Sequence, residues 1–314
     1  MNTYLKYQPA AVQLFTFLML AGGFFILNFA VSSFFFNDIN AVFLSKTEVI
    51  SDALIAKSKL AQLVTSTMLF IIPAMLFAYY SSPKPLSYIG LQKNLSPLLL
   101  LAVCFLYIAI QPFVGWLGQL NEKINFGSFQ KILMEKEEMY NQILKTFLQM
   151  KTSGDLFINL CVMALLPAIG EELFFRGALQ KVLLRISGKP WLAIFVSSTI
   201  FALLHLTVFK LMPIFTLGLL LGTVYYLTKN LWYTIILHFL NNAFAVLAFY
   251  FADKSPFLKK LANDDFNVPI YAAFISLAVV IFILFFIKNK CGNQIEEDND
   301  TEDTNFAEDT NLIA

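Results

Sequence analysis

The chain has 314 residues, of which 58% are hydrophobic and 14% charged, and its mean hydropathy is +0.68. This composition excludes two soluble domains and is typical of a polytopic membrane protein, because a hydrocarbon core of about 30 Å requires apolar runs of about 20 residues. The net charge of +1 hides an uneven distribution, since eight of the 21 acidic residues and no basic residue follow Lys290.

Eight apolar runs are candidate spanning helices, at about 10–36, 60–80, 96–120, 156–183, 191–209, 211–228, 231–252 and 268–287. We therefore predict an all-α integral membrane protein, a bundle of about eight transmembrane helices with a polar intramembrane cavity, in the plasma membrane. Its predicted parts are an N-terminal group of helices with an amphipathic loop at 121–154 (1–154), a core (155–252), a last spanning helix (253–290) and a disordered acidic tail (291–314).

The loop at 121–154 contains the pattern of an amphipathic helix. Its apolar stripe consists of Tyr140, Ile143, Leu144, Phe147 and Leu148, opposite a charged and polar face. Such a helix lies in the membrane interface, either as a plain surface helix or as a lid over a substrate site.

Two adjacent carboxylates, Glu171 and Glu172, interrupt the fourth apolar run. A carboxylate near the centre of a spanning helix costs about 2.5–3.5 kcal/mol and usually faces a protein interior or a water-filled cavity. Arg176 follows Glu172 by four residues, so its guanidinium can fold back onto that carboxylate. Glu171 then points about 100° away, and we predict that it faces a cavity.

Both histidines of the chain also lie in apolar runs. His205 is in the fifth run, and His238 in the seventh is followed one helical turn later by Asn242. At 1.5 Å per residue, Glu171, His205 and His238 are expected to meet near the bilayer midplane, provided that the fourth helix continues past Arg176.

Two chemistries suit these groups. Glu171 can act as a general base toward water, with the histidines and Asn242 hydrogen-bonding the oxyanion. Alternatively, Glu171, His205 and His238 can bind Zn²⁺, which activates its bound water. The cofactor is thus none or Zn²⁺; the absence of a His-Glu-x-x-His spacing favours the mechanism without metal.

Three motifs together resemble the CAAX protease and bacteriocin-processing family of intramembrane proteases. They are Glu171-Glu172-x-x-x-Arg176, Phe201-x-x-x-His205 and His238-x-x-x-Asn242, and the resemblance covers residues 155–250. It implies an eight-helix bundle whose core, 155–252, cuts a peptide bond near the C-terminus of a membrane-associated or lipidated peptide.

The resemblance also implies roles for the site residues. Glu171 would activate water, His205, His238 and Asn242 would complete the site, and Glu172 and Arg176 would support it. The implied partners are membrane lipid and a peptide or protein substrate, prenylated or otherwise hydrophobic, and not nucleic acid. Because the family is described both as glutamate-dependent and as metalloproteases, the resemblance does not decide the cofactor.

Two functions from other classes are compatible with the same polar cluster. One is a non-catalytic membrane scaffold or bacteriocin-immunity protein that keeps the cluster for structure or partner binding. The other is a proton- or ion-coupled transporter, which also uses intramembrane carboxylates and histidines, but no inverted repeat is visible in the sequence.

Overall fold

The computed structural model describes residues 4–35, 51–91, 94–262 and 267–311, and these contain helices and no strand. Nine longer helices are α1 (Ala10–Phe35), α2 (Asp52–Ser81), α3 (Pro97–Glu122), α4 (Gln130–Phe147), α5 (Ser153–Ser187), α6 (Pro190–Leu204), α7 (Leu211–Thr228), α8 (Leu231–Tyr250) and α9 (Ile270–Asn311). Shorter helices are Leu5–Tyr7, Pro85–Ile89, Gly127–Phe129, Ala252–Lys254 and Pro256–Ala262.

Seven helices in the described residues are long and apolar enough to cross a membrane, and α6 is a shorter apolar helix. The predicted class, an all-α multi-pass membrane protein with about eight helices, is therefore confirmed. The apolar part of α9 is Ile270–Cys291, and its backbone stays helical into the acidic tail as far as Asn311. The disorder expected from the tail's composition stays a prediction.

Helix α5 continues through the two carboxylates without a break, as the depth argument required. It starts at a capping box formed by Thr152 and Asp155 and ends at Gly188, whose positive φ of 62° suits a glycine. Two stretches, Leu160–Leu165 and Leu173–Gln180, form wider π-helical turns. Such turns are frequent at functional sites, and the second begins directly after Glu172.

Helix α6 ends earlier than predicted. The expected span of 191–209 is wrong, because the helix stops at Leu204 and His205 is its C-cap residue. Leu206 follows with a positive φ of 55° and is 89% exposed. The left-handed conformation is unfavourable for leucine, so the chain turns sharply after His205 and places this histidine at a helix end.

Helices α6 and α7 pack closely through two glycines of α7. A Cβ at Gly218 would lie 3.0 Å from the Cβ of Ser198, and one at Gly222 would lie 3.0 Å from Ile194. The small residues therefore let the two backbones approach, which is the usual effect of this spacing in membrane helices.

Hydrogen bonds fix α4 and the loop after His205 at the same end of the bundle. Asn159 donates to the carbonyl of Phe147 at the end of α4. Asn121, at the end of α3, donates to the carbonyl of Val208 and accepts from the backbone N–H of Met212. These side chains satisfy backbone groups at the helix ends and in the loop.

Candidate active site

A buried network of charges lies where α5 meets α8. One carboxylate oxygen of Glu172 lies 2.7 Å from Nη1 of Arg176 and 3.0 Å from Nδ1 of His238. Glu172 and Arg176 are 0% and 1% exposed. The predicted pairing of Glu172 with Arg176 is thus observed, and we call Glu172, Arg176 and His238 the inner network.

Arg176 is held on three sides. Besides Glu172, its guanidinium donates to the carbonyl of Gly218 on α7, 3.1 Å away, and lies 4.7 Å from the ring centre of Phe201 on α6. Because a buried charge is costly unless it is paired and hydrogen-bonded, these contacts lock three helices around the inner network.

His238 connects the inner network to Glu171. Its Nδ1 faces Glu172, whose carboxylate can only accept, so Nδ1 carries the hydrogen. Its Nε2 lies 3.8 Å from Oε2 of Glu171, which is too long for a direct hydrogen bond. Glu171 is 15% exposed, and its Oε2 is buried without a partner in the protein. Each glutamate has one buried oxygen without a partner, but Glu171 differs from Glu172 in being partly exposed and in making no direct hydrogen bond through its other oxygen.

His205 approaches the same place from the end of α6. Its Nδ1 lies 2.8 Å from the carbonyl oxygen of Phe201. The carbonyl can only accept, so Nδ1 carries the hydrogen and Nε2 of the neutral ring is an acceptor. The rings of His205 and His238 both pack against Phe201, with centres 4.7 and 5.9 Å away. The two histidines thus flank one aromatic ring.

A cavity of about 60 Å³ lies beside the two histidines. Its polar wall consists of His205, His238, Asn241 and Asn242, and its other wall is mainly aliphatic side chains from α3, α7 and α8. We call Glu171, His205 and Asn242 the outer group, because all three are partly exposed. Glu171 lies 3.8 Å from Nε2 of His238, and His205 and Asn242 line the cavity together with His238.

Sequence reasoning missed Tyr107 of α3, which also lines the cavity. Tyr107 is 9% exposed, and its hydroxyl is buried without a hydrogen-bond partner in the protein. Buried hydroxyls usually have partners, so this one is an unused donor. The only signal in the sequence was a tyrosine within an otherwise apolar run, and no spacing argument links α3 to α8.

Helix α4 lies against the loop that follows His205. The hydroxyl of Thr207 donates to the carboxylate of Glu137 at 2.7 Å. A groove between α4 and this loop is lined by Glu137, Asn141, Phe209 and Lys210, among others. The predicted amphipathic helix is therefore present, and it borders the outer group.

The described residues form no ready-made metal site for the zinc alternative. Within the described parts of the chain, no three His, Cys, Asp or Glu side chains are placed to hold a metal ion together. Glu171, His205 and His238 were the candidate ligands. Nδ1 of each histidine faces another acceptor, which leaves Nε2 as the nitrogen open to the site. We therefore derive no chemical step through a metal.

Residues 153–244 match the family model described as Rce1-like, type II CAAX prenyl endopeptidase Rce1-like. The match covers 92 of the 314 residues and includes all six residues of the inner network and the outer group. No curated protein and no solved structure matches the chain.

Proposed function

We propose that the chain is an intramembrane endopeptidase, since its residues 153–244 match the family model of the type II CAAX prenyl endopeptidases, Rce1-like. It would hydrolyse a peptide bond near the C-terminus of a membrane-associated or lipidated peptide. The proposal rests mainly on one observation, the approach of Glu171 to 3.8 Å from His238 beside a cavity that His205 and Asn242 also line.

The first step of the proposed mechanism is the binding of a water between Glu171 and His238. Neutral His238 donates through Nδ1 to Glu172, so its Nε2 is an acceptor, as is Oε2 of Glu171. Two acceptors 3.8 Å apart can each lie about 2.8 Å from one water oxygen. That water donates one hydrogen to each, and its lone pair points toward the substrate.

Glu171 acts as the general base. It takes a proton from the water as the water oxygen bonds to the peptide carbonyl carbon, and the carbonyl oxygen becomes an oxyanion. The amide of Asn242 donates to this oxyanion. Glu171 then gives its proton to the leaving nitrogen as the carbon–nitrogen bond breaks, which yields a carboxylic acid and an amine.

His205 has a narrower role than a general oxyanion donor. The single N–H of the neutral ring is directed at the carbonyl of Phe201, so the neutral ring offers only an acceptor to the cavity. An acceptor there suits a backbone N–H of the peptide. We propose that His205 positions the substrate chain and that Asn242 is the neutral donor to the oxyanion.

The test compares Glu171→Gln with the wild type in purified form. The probes are internally quenched peptides with a hydrophobic C-terminal segment, one ending in a prenylated cysteine followed by three residues and one without the prenyl group. Loss of general-base catalysis is expected to lower kcat by about 10²–10⁴-fold. The thermal midpoint should stay near that of the wild type, since Glu171 makes no direct hydrogen bond in the structure.

Glu138→Gln is the matched control, because Glu138 is an exposed carboxylate on α4. It should cleave at the wild-type rate. Cleavage by Glu171→Gln at an undiminished rate would contradict the mechanism. A wild-type protein that cleaves neither peptide, while Glu171→Gln retains its cellular function, would favour the scaffold or immunity protein instead.

A further inference from the structure

Helices α5 and α8 extend well past the candidate active site toward the end of the bundle that carries the loop after His205. From Glu171 back to its start, α5 has eighteen further residues, or about 27 Å at 1.5 Å per residue. From His238 to its end, α8 has twelve further residues, or about 18 Å. Because α6 already stops at Leu204, a recess remains at this end beside the site.

Helix α4 is one wall of this recess. The groove between α4 and the loop after His205 also includes Glu122 at the end of α3 and Phe249 near the end of α8. Its volume is about 550 Å³, far larger than the 60 Å³ of the cavity beside the histidines. The recess is therefore wide enough for a peptide segment, and α4 lies at its border.

Two hydrogen bonds attach α4 on the two sides of the recess. Asn159 donates to the carbonyl of Phe147 at a point twelve residues from Glu171, or about 18 Å away along α5. Glu137 precedes Phe147 by ten residues, or about 15 Å along α4, and accepts from the hydroxyl of Thr207 in the loop after α6. This stretch of α4 thus crosses from the far part of α5 to the loop that carries His205.

Tyr140 lies in the crossing stretch, one helical turn after Glu137, and its side chain is 39% exposed. Burial raises the pKa of its hydroxyl, the charge of Lys210 lowers it, and the charges of Glu137 and Glu171 raise it further. An effect of Glu171 on this hydroxyl requires that the two groups lie within electrostatic reach of each other. The inner face of α4 is therefore turned toward Glu171.

The rest of α4 is attached in a way that permits movement. The helix packs against the first half of α2, and its outer face exposes apolar side chains such as Ile132 and Met139, which suits a position in the membrane interface. The chain enters it just after Gly127, which has a positive φ of 58° and where a Cβ would meet nothing within 4 Å. Elements attached in this way open at a lower free energy than the core helices.

We propose that α4 is a lid over the candidate active site, that the hydrogen bond between Thr207 and Glu137 holds it closed, and that the substrate peptide enters when this bond opens. The inference rests on the proposed function and deepens it. A closed lid excludes bulk water from the recess and strengthens the electrostatic interactions of Glu171 with the bound peptide. Because α4 precedes residues 153–244, the lid belongs to a part of the chain outside the family match.

The first test does not depend on peptidase activity. Glu171→Cys is combined with Glu137→Ala or with Glu138→Ala in the full-length protein, and the rate at which position 171 reacts with a charged, water-soluble methanethiosulfonate is followed by mass spectrometry. Loss of a hydrogen bond to a charged group should raise the open fraction, and with it the rate, by about 10-fold or more. Glu138 is the exposed neighbour of Glu137 on α4, and its removal should leave the rate unchanged.

Equal labelling rates in the two combined variants would overturn the lid and leave α4 as a plain surface helix. If the Glu137→Ala combination does not fold, Thr207→Val removes the donor of the same hydrogen bond and should raise the rate similarly. Its control is Thr199→Val, whose hydroxyl bonds only within α6.

The second test asks whether α4 must move for cleavage. Glu137→Cys/Thr207→Cys is bridged with a short bifunctional methanethiosulfonate, and cleavage of the quenched peptides is measured before and after reduction. The bridged protein should cleave at less than about a tenth of the unbridged rate, and reduction should restore cleavage. The two single variants, treated with the same reagent, should not be slowed.

Full-rate cleavage by the bridged protein would also overturn the lid. If the unbridged protein cleaves neither peptide, the proposed function fails instead, and the labelling rates at position 171 still decide whether α4 covers the site.

Discussion

The inner network and the outer group lie side by side, yet their polar atoms are used differently. In the inner network, Glu172 and Arg176 are fully buried and paired, and Arg176 is also bonded to the carbonyl of Gly218. In the outer group, Glu171 is 15% exposed and lacks a hydrogen-bond partner. The same side-chain type, at adjacent positions, therefore has a structural environment in one case and an open one in the other.

The difference teaches that stability and reactivity are divided between neighbouring residues. A turn of about 100° per residue sends Glu172 into the bundle and leaves Glu171 partly exposed beside His238. His238 touches both, through Nδ1 to Glu172 and through Nε2 toward Glu171. Changes in the inner network should therefore affect folding, whereas changes in the outer group should affect activity.

Arg176→Ala should produce the largest effect on folding. The substitution removes the cation that pairs with the buried carboxylate of Glu172 and leaves His238 as its neighbour. Breaking a buried ion pair in this way typically costs about 3–5 kcal/mol. The free energy of unfolding, or the thermal midpoint, is measured in detergent for Arg176→Ala and for Glu171→Gln, which serves as the outer-group variant. A midpoint equal to that of the wild type would remove the distinction between the two regions.

His238→Gln should affect both regions. Glutamine keeps polar atoms, but it cannot face both glutamates at once as the imidazole ring does. We therefore expect kcat to fall by about 10²-fold or more. We also expect the free energy of unfolding to fall by about 1–3 kcal/mol. Kinetics and thermal melting are measured on the same preparation. Loss of activity without any loss of stability would assign His238 to the outer group alone.

Gly218→Ala should have an intermediate effect on folding. The added methyl would lie 3.0 Å from the Cβ of Ser198, and such overpacking costs about 1–3 kcal/mol. Gly22→Ala in α1 is the matched control, because a Cβ there meets nothing within 4 Å. The control should be neutral or slightly stabilising. Equal thermal midpoints for the two variants would show that α7 can shift to accommodate the methyl group at little cost.

Tyr107→Phe should have the smallest effect, and it separates packing from function. The hydroxyl of Tyr107 has no partner, so removing it should leave the thermal midpoint unchanged or higher. If the hydroxyl donates to bound peptide, kcat/KM should fall by about 3–10-fold. Tyr79→Phe, at an exposed tyrosine of α2, serves as the control. An unaltered kcat/KM would exclude Tyr107 from peptide binding.

Patterns within one helix were predictable from the sequence. The i, i+4 spacing of Glu172 and Arg176 predicts their ion pair, and that of His238 and Asn242 puts both on the wall of one cavity. The continuation of α5 past the charges, which was the condition for the expected depth of Glu171, is observed. Local periodicity determines these features, so one sequence is enough.

Contacts between distant segments were not predictable. The end of α6 was placed five residues too late, because the apolar pattern continues through Leu206 although the backbone turns at His205. The carbonyl of Gly218 and the side chain of Asn121 carry no spacing signal, since their partners lie 42 and 87 residues away. Such contacts depend on how the helices are arranged, which hydropathy does not encode.

The early end of α6 links the candidate site to the thickness of the bilayer. Fifteen residues extend about 22 Å, which is less than the roughly 30 Å of a typical hydrocarbon core. A helix this short is accommodated by local thinning of the bilayer, by snorkelling of flanking side chains or by association with other helices, at a cost that rises with each ångström of hydrophobic mismatch. Lipids with shorter acyl chains relieve this mismatch, so the identity of the host membrane becomes a property on which the geometry at His205 depends.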